Sequence, residues 1–213
     1  MSAFEQIREL PSFRKARDEV ISRKVVGKVV EAGRNAPSPG NVQSAEFIVV
    51  EDSGQKEVLY RATQDERVRE APTAVLVVAG FDRMQRRVGE DAEKAAYSEA
   101  ATAVQNMRIV AAEQDVASAW LGGFDERAVS EKFGVPEGRR IVAAVLLAYT
   151  DNPVYTEQRF DIDEVVFYDK YDNQINSFWD EPGWRGLRTE SRIHGKKAEG
   201  FFQKVRRKLD HLL

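Results

Sequence analysis

The chain has 213 residues, 42% of them hydrophobic and 31% charged, and it contains no cysteine. That length and apolar content suit one globular domain with a sizeable core and exclude a disordered protein. The missing thiols exclude disulfides, thiolate metal sites and a cysteine nucleophile, so any redox chemistry needs a borrowed cofactor.

The formal net charge of −3 is uneven: residues 181–213 carry nine Lys/Arg against four Asp/Glu, a balance of +5, which leaves −8 for residues 1–180. No apolar core of signal-peptide length opens the chain, and no run approaches the roughly 18 apolar residues of a membrane span. The expectation is a cytoplasmic protein with no membrane attachment.

Ser22 is suited to cap a helix running to about Asn35, with Val25, Val26, Val29, Val30 and Gly33 tracing one face at helical spacing. Ala36 to Phe47 then concentrates Pro37, Ser38, Pro39, Gly40, Asn41 and Gln43 between that helix and an apolar segment. Pro37 and Pro39 stiffen the backbone, Gly40 lets a ligand approach it, and Ser38, Asn41 and Gln43 supply donors and acceptors. Composition alone also allows an ordinary helix-to-strand turn.

Glu46–Glu51 reads as a buried strand, followed by a short helix around Lys56 to Ala62. Thr73–Ala79, rich in Val, reads as a central strand, and Asp82–Glu90 as a polar segment. From Asp91 to about Val116 the pattern is one long helix whose Ala92, Ala95, Ala96, Ala100, Ala103, Val104, Met107 and Ala111 form a small-residue face able to approach another helix closely.

Ala117–Gly123 reads as a brief strand ending in paired glycines, and Asp125 as the cap of a helix that stops at Gly134. Ile141–Tyr149 is a further apolar strand, and Glu164–Tyr168 is expected to be another. Strands alternating with helices predict an α+β domain with α/β-type layers, a mixed central β-sheet flanked by helices. The predicted organisation is a domain over 1–171 and an extension over 172–213.

Within that extension Phe201, Phe202, Val205, Leu209 and Leu212 recur at helical spacing, with Lys204, Arg206, Arg207 and Lys208 largely on the other faces. The pattern is a basic amphipathic helix, suited either to an anionic surface or to docking on the acidic domain of a second copy of the chain; docking is favoured, with Trp179 and Trp184 in an arm that would cross to that copy and no binding to nucleic acid. Both histidines, His194 and His211, lie in this tail, which leaves a Ser-His-Asp triad and a His-based metal site without support in the domain. No dinucleotide or phosphate-loop motif occurs.

Four separated segments, in order, resemble those of the nitroreductase family of flavin enzymes. Ser12 to Ser22 resembles the family's Arg-Arg-Ser-x-Arg segment, with Ser12 and Arg14 matching and Leu10 and Pro11 standing where basic residues are usual. Ala36 to Gln43 resembles its Ala-Pro-Ser-x-Gly-Asn-x-Gln loop, and the family's usual Gln-Pro-Trp continuation is replaced by Gln43-Ser44-Ala45. Tyr97 to Ala112, continuing to Trp120-Leu121-Gly122-Gly123-Phe124-Asp125, resembles the long helix and the strand end beside the flavin ring. Gln158 to Val166 resembles a late segment in which Arg159 falls on a phosphate-binding arginine.

The resemblance implies an FMN-dependent homodimer in which NAD(P)H reduces the flavin and a small electron-poor acceptor, a nitroaromatic or quinone, reoxidises it by a ping-pong cycle. It implies cofactor contacts from Ser12, Arg14, Pro37, Ser38, Gly40, Asn41, Leu121, Gly122, Gly123 and Arg159, with Gln64 and Arg67 near the flavin pyrimidine. It also implies Arg8 or Arg17 as the substitute for the phosphate partner missing at 10–11. No side chain is assigned as catalytic, because flavin N5 carries the hydride, and no metal is expected. Two alternatives stand beside this reading: a flavin-binding or sensing module without robust turnover, and a scaffold acting through its basic tail.

Overall fold

Two runs of Val, Leu, Ile and Ala, Ala74–Ala79 and Ile141–Ala148, set the architecture, because apolar runs of six to eight residues can be buried only where both faces of a strand are covered. The computed structural model describes residues 3–155, 159–160, 162–167 and 169–173. It divides into a unit of residues 1–156 and a unit of residues 157–213.

In the first unit the order is α1 (Ala3–Arg8), α2 (Arg23–Arg34), β1 (Ala45–Val50), α3 (Ser53–Thr63), α4 (Arg67–Glu70), β2 (Thr73–Gly80), α5 (Phe81–Val88), α6 (Ala92–Glu113), β3 (Ala117–Leu121), α7 (Glu126–Lys132) and β4 (Arg139–Ala148). The strands form one sheet in the order β1-β2-β4-β3. All three pairings are antiparallel, with an irregularity in the β2–β4 register at Val77/Val78.

Alternation along β2 sorts the core. Val75, Val77 and Ala79 face one cluster with Val26, Val29, Val104 and Met107 of α2 and α6, while Ala74, Leu76 and Val78 face a second with Phe13, Leu59, Val68, Leu121 and Val129. The expected helix-flanked sheet is thus present, and among the described residues its pairings are antiparallel where a mixed sheet was expected. Truncating a fully buried residue such as Leu76 to Ala would cost about 2–5 kcal/mol.

Helix α2 begins where expected: Ser22 Oγ accepts from Val25 N at 3.3 Å, and Asn35 closes the helix. Its Gly33 allows close approach to α6, since a Cβ there would lie 2.9 Å from Met107 Cγ and Sδ. The Asp125 carboxylate caps α7 by accepting from Ala128 N at 3.0 Å.

Several expectations are corrected. β1 is an edge strand, mostly half-buried with Val49 45% exposed, rather than a buried strand. The polar segment 82–90 is largely the helix α5, held by buried Met84. In the second unit, Ile162–Val165 form a helical turn, α8, where a strand over 164–168 was expected; Val165 is 55% exposed, so this short run has no sheet face to bury against. The predicted tail helix over 199–213, Trp179, Trp184 and His194 lie outside the described residues.

Candidate cofactor site

Phe13 organises the N-terminal arm. Its ring is buried at 1% exposure in the second core cluster, which turns the flanking Ser12 and Arg14 side chains away from that core by the period of two of extended backbone. Ser12 exchanges both backbone hydrogen bonds with Val154, each 2.8 Å, and Ser118 N donates to Pro11 O at 2.8 Å, so the arm lies along the β3 edge. Arg14 is exposed and has no hydrogen bond or ion pair among the described residues.

Leu10 and Pro11 are structural. Leu10 is buried at 8% exposure, so the place where a basic phosphate partner is usual belongs to the core. Of its two suggested substitutes, Arg17 is paired with Glu19, approaches Asp151 at 3.8 Å and lies over the Tyr149 ring. Arg8 lies over the Phe4 ring with its guanidinium carbon 5.9 Å from the centroid.

Gln64 and Arg67 bracket the corner between α3 and α4. Gln64 caps α3 in the left-handed conformation and donates its amide to Arg61 O at 2.9 Å. Arg67 Nη2 lies 2.6 Å from Asp65 Oδ2. The guanidinium holds the Asp65 carboxyl below its ordinary range, and Asp65 raises Arg67 in turn. Ala16 N donates to Glu70 Oε2 at 3.3 Å, joining this corner to the N-terminal arm.

Leu121 ends β3 against Ala144 and is buried, whereas Gly122 and Gly123 are exposed. Nothing lies within 4 Å of a Cβ built on Gly123, and only Trp120 Nε1, at 3.9 Å, near one built on Gly122. Both N–H groups are without a protein acceptor among the described residues, on exposed glycines at the end of β3.

The loop over 36–43 is built differently. Gly40, Asn41 and Gln43 have φ of 62°, 54° and 54°, a conformation that only the glycine adopts without penalty. Gln43 N donates to Ser38 Oγ at 3.0 Å and its amide to Asn41 Oδ1 at 3.2 Å, so two of the expected contact residues brace the loop. Arg87 of α5 packs over Gly40, and Arg83 Nη1 donates to Gln43 O at 3.2 Å. Pro37 is exposed at the loop's start.

The structure thus brings Ser12, Arg14, Gln64, Arg67 and Leu121–Gly123 onto elements that share the core cluster of Phe13, Leu59, Val68 and Leu121. It does not bring the loop to them: Val42 packs on the opposite cluster, and no hydrogen bond joins 36–43 to those residues among the described residues. Arg159 is exposed in the second unit.

Sequence reasoning missed Glu99. It is 3% exposed on α6 and accepts from Ser44 N at 3.1 Å, Ser44 Oγ at 2.6 Å and Ala45 N at 3.2 Å. A signal existed, because Glu99 falls at helical spacing between Ala96 and Ala103 on the face read as apolar, where a carboxylate must find donors.

The nitroreductase family matches residues 7–65 and 54–149, a span that holds the arm, the loop, the α3–α4 corner and the glycine pair. The chain belongs to the nitroreductase family. As a nitroreductase-family member it is an oxidoreductase. A relative from Archaeoglobus fulgidus, provisionally named NADH dehydrogenase/NAD(P)H nitroreductase, is 28% identical over 142 residues, covering 65% of this chain and 79% of the relative. Among solved structures, the NADPH:FMN oxidoreductase of Vibrio harveyi superposes with a TM-score of 0.72 at 20% identity, over 79% of this chain and 77% of that one. An NADH oxidase assigned in Clostridium acetobutylicum superposes at 0.67 and 24% identity, over 80% of this chain and 100% of its own. Both of these likenesses concern the fold. Among the described residues no helix is long and apolar enough to cross a membrane, and no group of three or more His, Asp or Glu side chains could hold a metal ion.

Proposed function

We propose that this nitroreductase-family chain is an FMN-dependent oxidoreductase that passes hydride from NAD(P)H to an electron-poor acceptor of nitroaromatic or quinone type by a ping-pong cycle. The observation that carries the reading is the Gly122–Gly123 pair: two exposed glycines at the end of β3 whose N–H groups meet no acceptor among the described residues and whose Cβ positions are open. A planar ring can approach such a backbone, and a Cβ at either glycine would project into that space.

The donor set of the chain fits a flavin mononucleotide. Arg14 is an exposed guanidinium with no partner among the described residues, two positions from Ser12 and suited to an anionic or carbonyl group, and Arg159 is a second exposed cation suited to phosphate. Bound FMN would supply hydride transfer at N5, so that no protein nucleophile is needed. The chain's own tasks are then to hold the ring through the glycine N–H groups, to bias its charge through Arg14 more than through Arg67, which Asp65 masks, and to shape access through the loop over 36–43.

The separation of that loop from the arm and the glycines within one chain supports a homodimer whose site draws on both subunits. Leu10 is buried and supplies no cation on the phosphate side, and a flavin-binding module with weak turnover is the second reading. One experiment separates them: record the absorbance spectrum of protein equilibrated with FMN, then add NADH or NADPH without oxygen. Bleaching of bound flavin followed by reoxidation with menadione supports the enzyme; bound flavin that stays oxidised supports the module; a colourless protein ends both.

A further inference from the structure

A carboxylate buried without a cation is costly unless donors satisfy both oxygens. No Lys or Arg pairs with Glu99 among the described residues, and its donors are Ser44 N, Ser44 Oγ and Ala45 N. Those groups sit immediately after the positive-φ residues Gly40, Asn41 and Gln43. The remaining polar group of Ser44, its carbonyl, accepts from Gly80 N at 3.2 Å. Ser44 is fully buried, and each of its polar groups is engaged.

Backbone held in a sparsely populated region persists only where the surroundings over-determine it. Here the surroundings are Glu99 on α6 and Gly80 at the end of β2, both gripping the single residue through which the loop enters β1. A proline at position 44 would fix φ there covalently but would offer neither N–H nor hydroxyl. Ser44 brings both, and Glu99 receives both.

We propose that Glu99 is a positioning residue for the cofactor site: through Ser44 it holds residues 40–43 in their ligand-ready conformation without touching the ligand. This rests on the reading of the loop as part of a flavin site. Glu99→Gln places an amide donor where an oxygen now accepts, so at least one N–H of Ser44 or Ala45 loses its partner.

The test is backbone hydrogen exchange on flavin-free protein, joined to FMN release followed by flavin fluorescence, for wild type, Glu99→Gln and Ser44→Ala. In Glu99→Gln, exchange at amides 41–45 and the FMN off-rate should each rise about tenfold, while amides of β2 and β4 keep wild-type exchange. Ser44→Ala, which removes only the hydroxyl contact, should move both readouts in the same direction by less. A uniform rise across the whole domain would mark Glu99 as a general stabiliser and overturn the proposal, as would rates within twofold of wild type. Should Glu99→Gln fail to fold, Ser44→Ala decides by the same criteria. Wild-type protein that takes up no FMN would defeat the flavin reading, while the exchange arm would still decide whether Glu99 anchors the loop.

Discussion

Arg67 does not present a bare positive charge: its guanidinium grips the Asp65 carboxylate two residues earlier, with Nη2 2.6 Å from Oδ2 and Nε 2.9 Å from Oδ1. The cation expected beside the flavin pyrimidine thus arrives as a nearly neutral pair. Asp65→Asn would unmask it while keeping an oxygen for Arg67 N, which now donates to Asp65 Oδ1 at 2.9 Å. A partly exposed charge acting on the reduced, anionic cofactor is worth about 1 kcal/mol, so the midpoint potential should rise on the order of 20 mV for a two-electron couple. Anaerobic spectroelectrochemical titration measures it, and an unchanged potential would place Arg67 away from the ring.

The same pair sets an acid limit. Arg67 holds the Asp65 carboxyl below its ordinary value of 3.8, so its stabilising contribution is present above about pH 4 and is lost as pH falls through the lowered folded-state value. Asp65→Asn should flatten this part of the acid unfolding curve.

Much of this fold was legible from residue patterns. Ser22 and Asp125 announced the starts of α2 and α7 because a short side-chain oxygen before an apolar-periodic run has one common use, and β2 and β4 were legible as long buried runs. Helix α5 was not, because Arg83, Arg86 and Arg87 outweigh Phe81, Met84 and Val88, whose i, i+3, i+7 spacing was the available signal. The candidate site was legible as a set of segments but not as an arrangement. Nothing in the spacing of Arg67 and Asp65 reveals a rotamer, and the burial of Leu10 depends on the arm lying along β3.

Tyr97 contributes on the alkaline side. Burial first, and then its hydrogen bond to the Glu126 carboxylate, push the phenol from its ordinary 10.0 up to about 12. A folded-state value raised above the unfolded one gives stability that is full below about pH 10 and lost as pH rises towards 12. Because the ring is only partly buried, the discounted contribution is on the order of 1 kcal/mol. Tyr97→Phe should shallow the melting-temperature decline between pH 10 and 11.5; a variant with the wild-type slope would assign that decline to other groups.

Arg159→Ala tests the phosphate side of the proposed site. A charge-assisted contact to phosphate is worth about 1.5–3 kcal/mol, so FMN affinity should fall at least tenfold with little change in melting temperature. Riboflavin, which lacks the phosphate, should bind wild type and variant alike. Equal losses for both flavins would mean that Arg159 does not contact phosphate, and unchanged FMN affinity would mean that the phosphate lies elsewhere.

Two glycines separate folding from binding. At Gly80 a methyl group would stand 2.8 Å from Ser44 O, which is backbone and cannot swing away. Gly80→Ala must therefore push β1 and the loop from the end of β2, with a cost of about 1–3 kcal/mol. At Gly122 the same methyl would meet nothing closer than Trp120 Nε1 at 3.9 Å, and the backbone there is not in the left-handed region. Gly122→Ala should consequently melt within about 0.5 kcal/mol of wild type, yet its methyl would occupy the open space in which the proposed flavin ring lies against the unengaged N–H groups. FMN affinity should drop at least about tenfold. Wild-type FMN affinity in Gly122→Ala, together with an unchanged melting temperature, would show that the ring does not lie over β3's end and would reduce the glycine pair to an exposed turn.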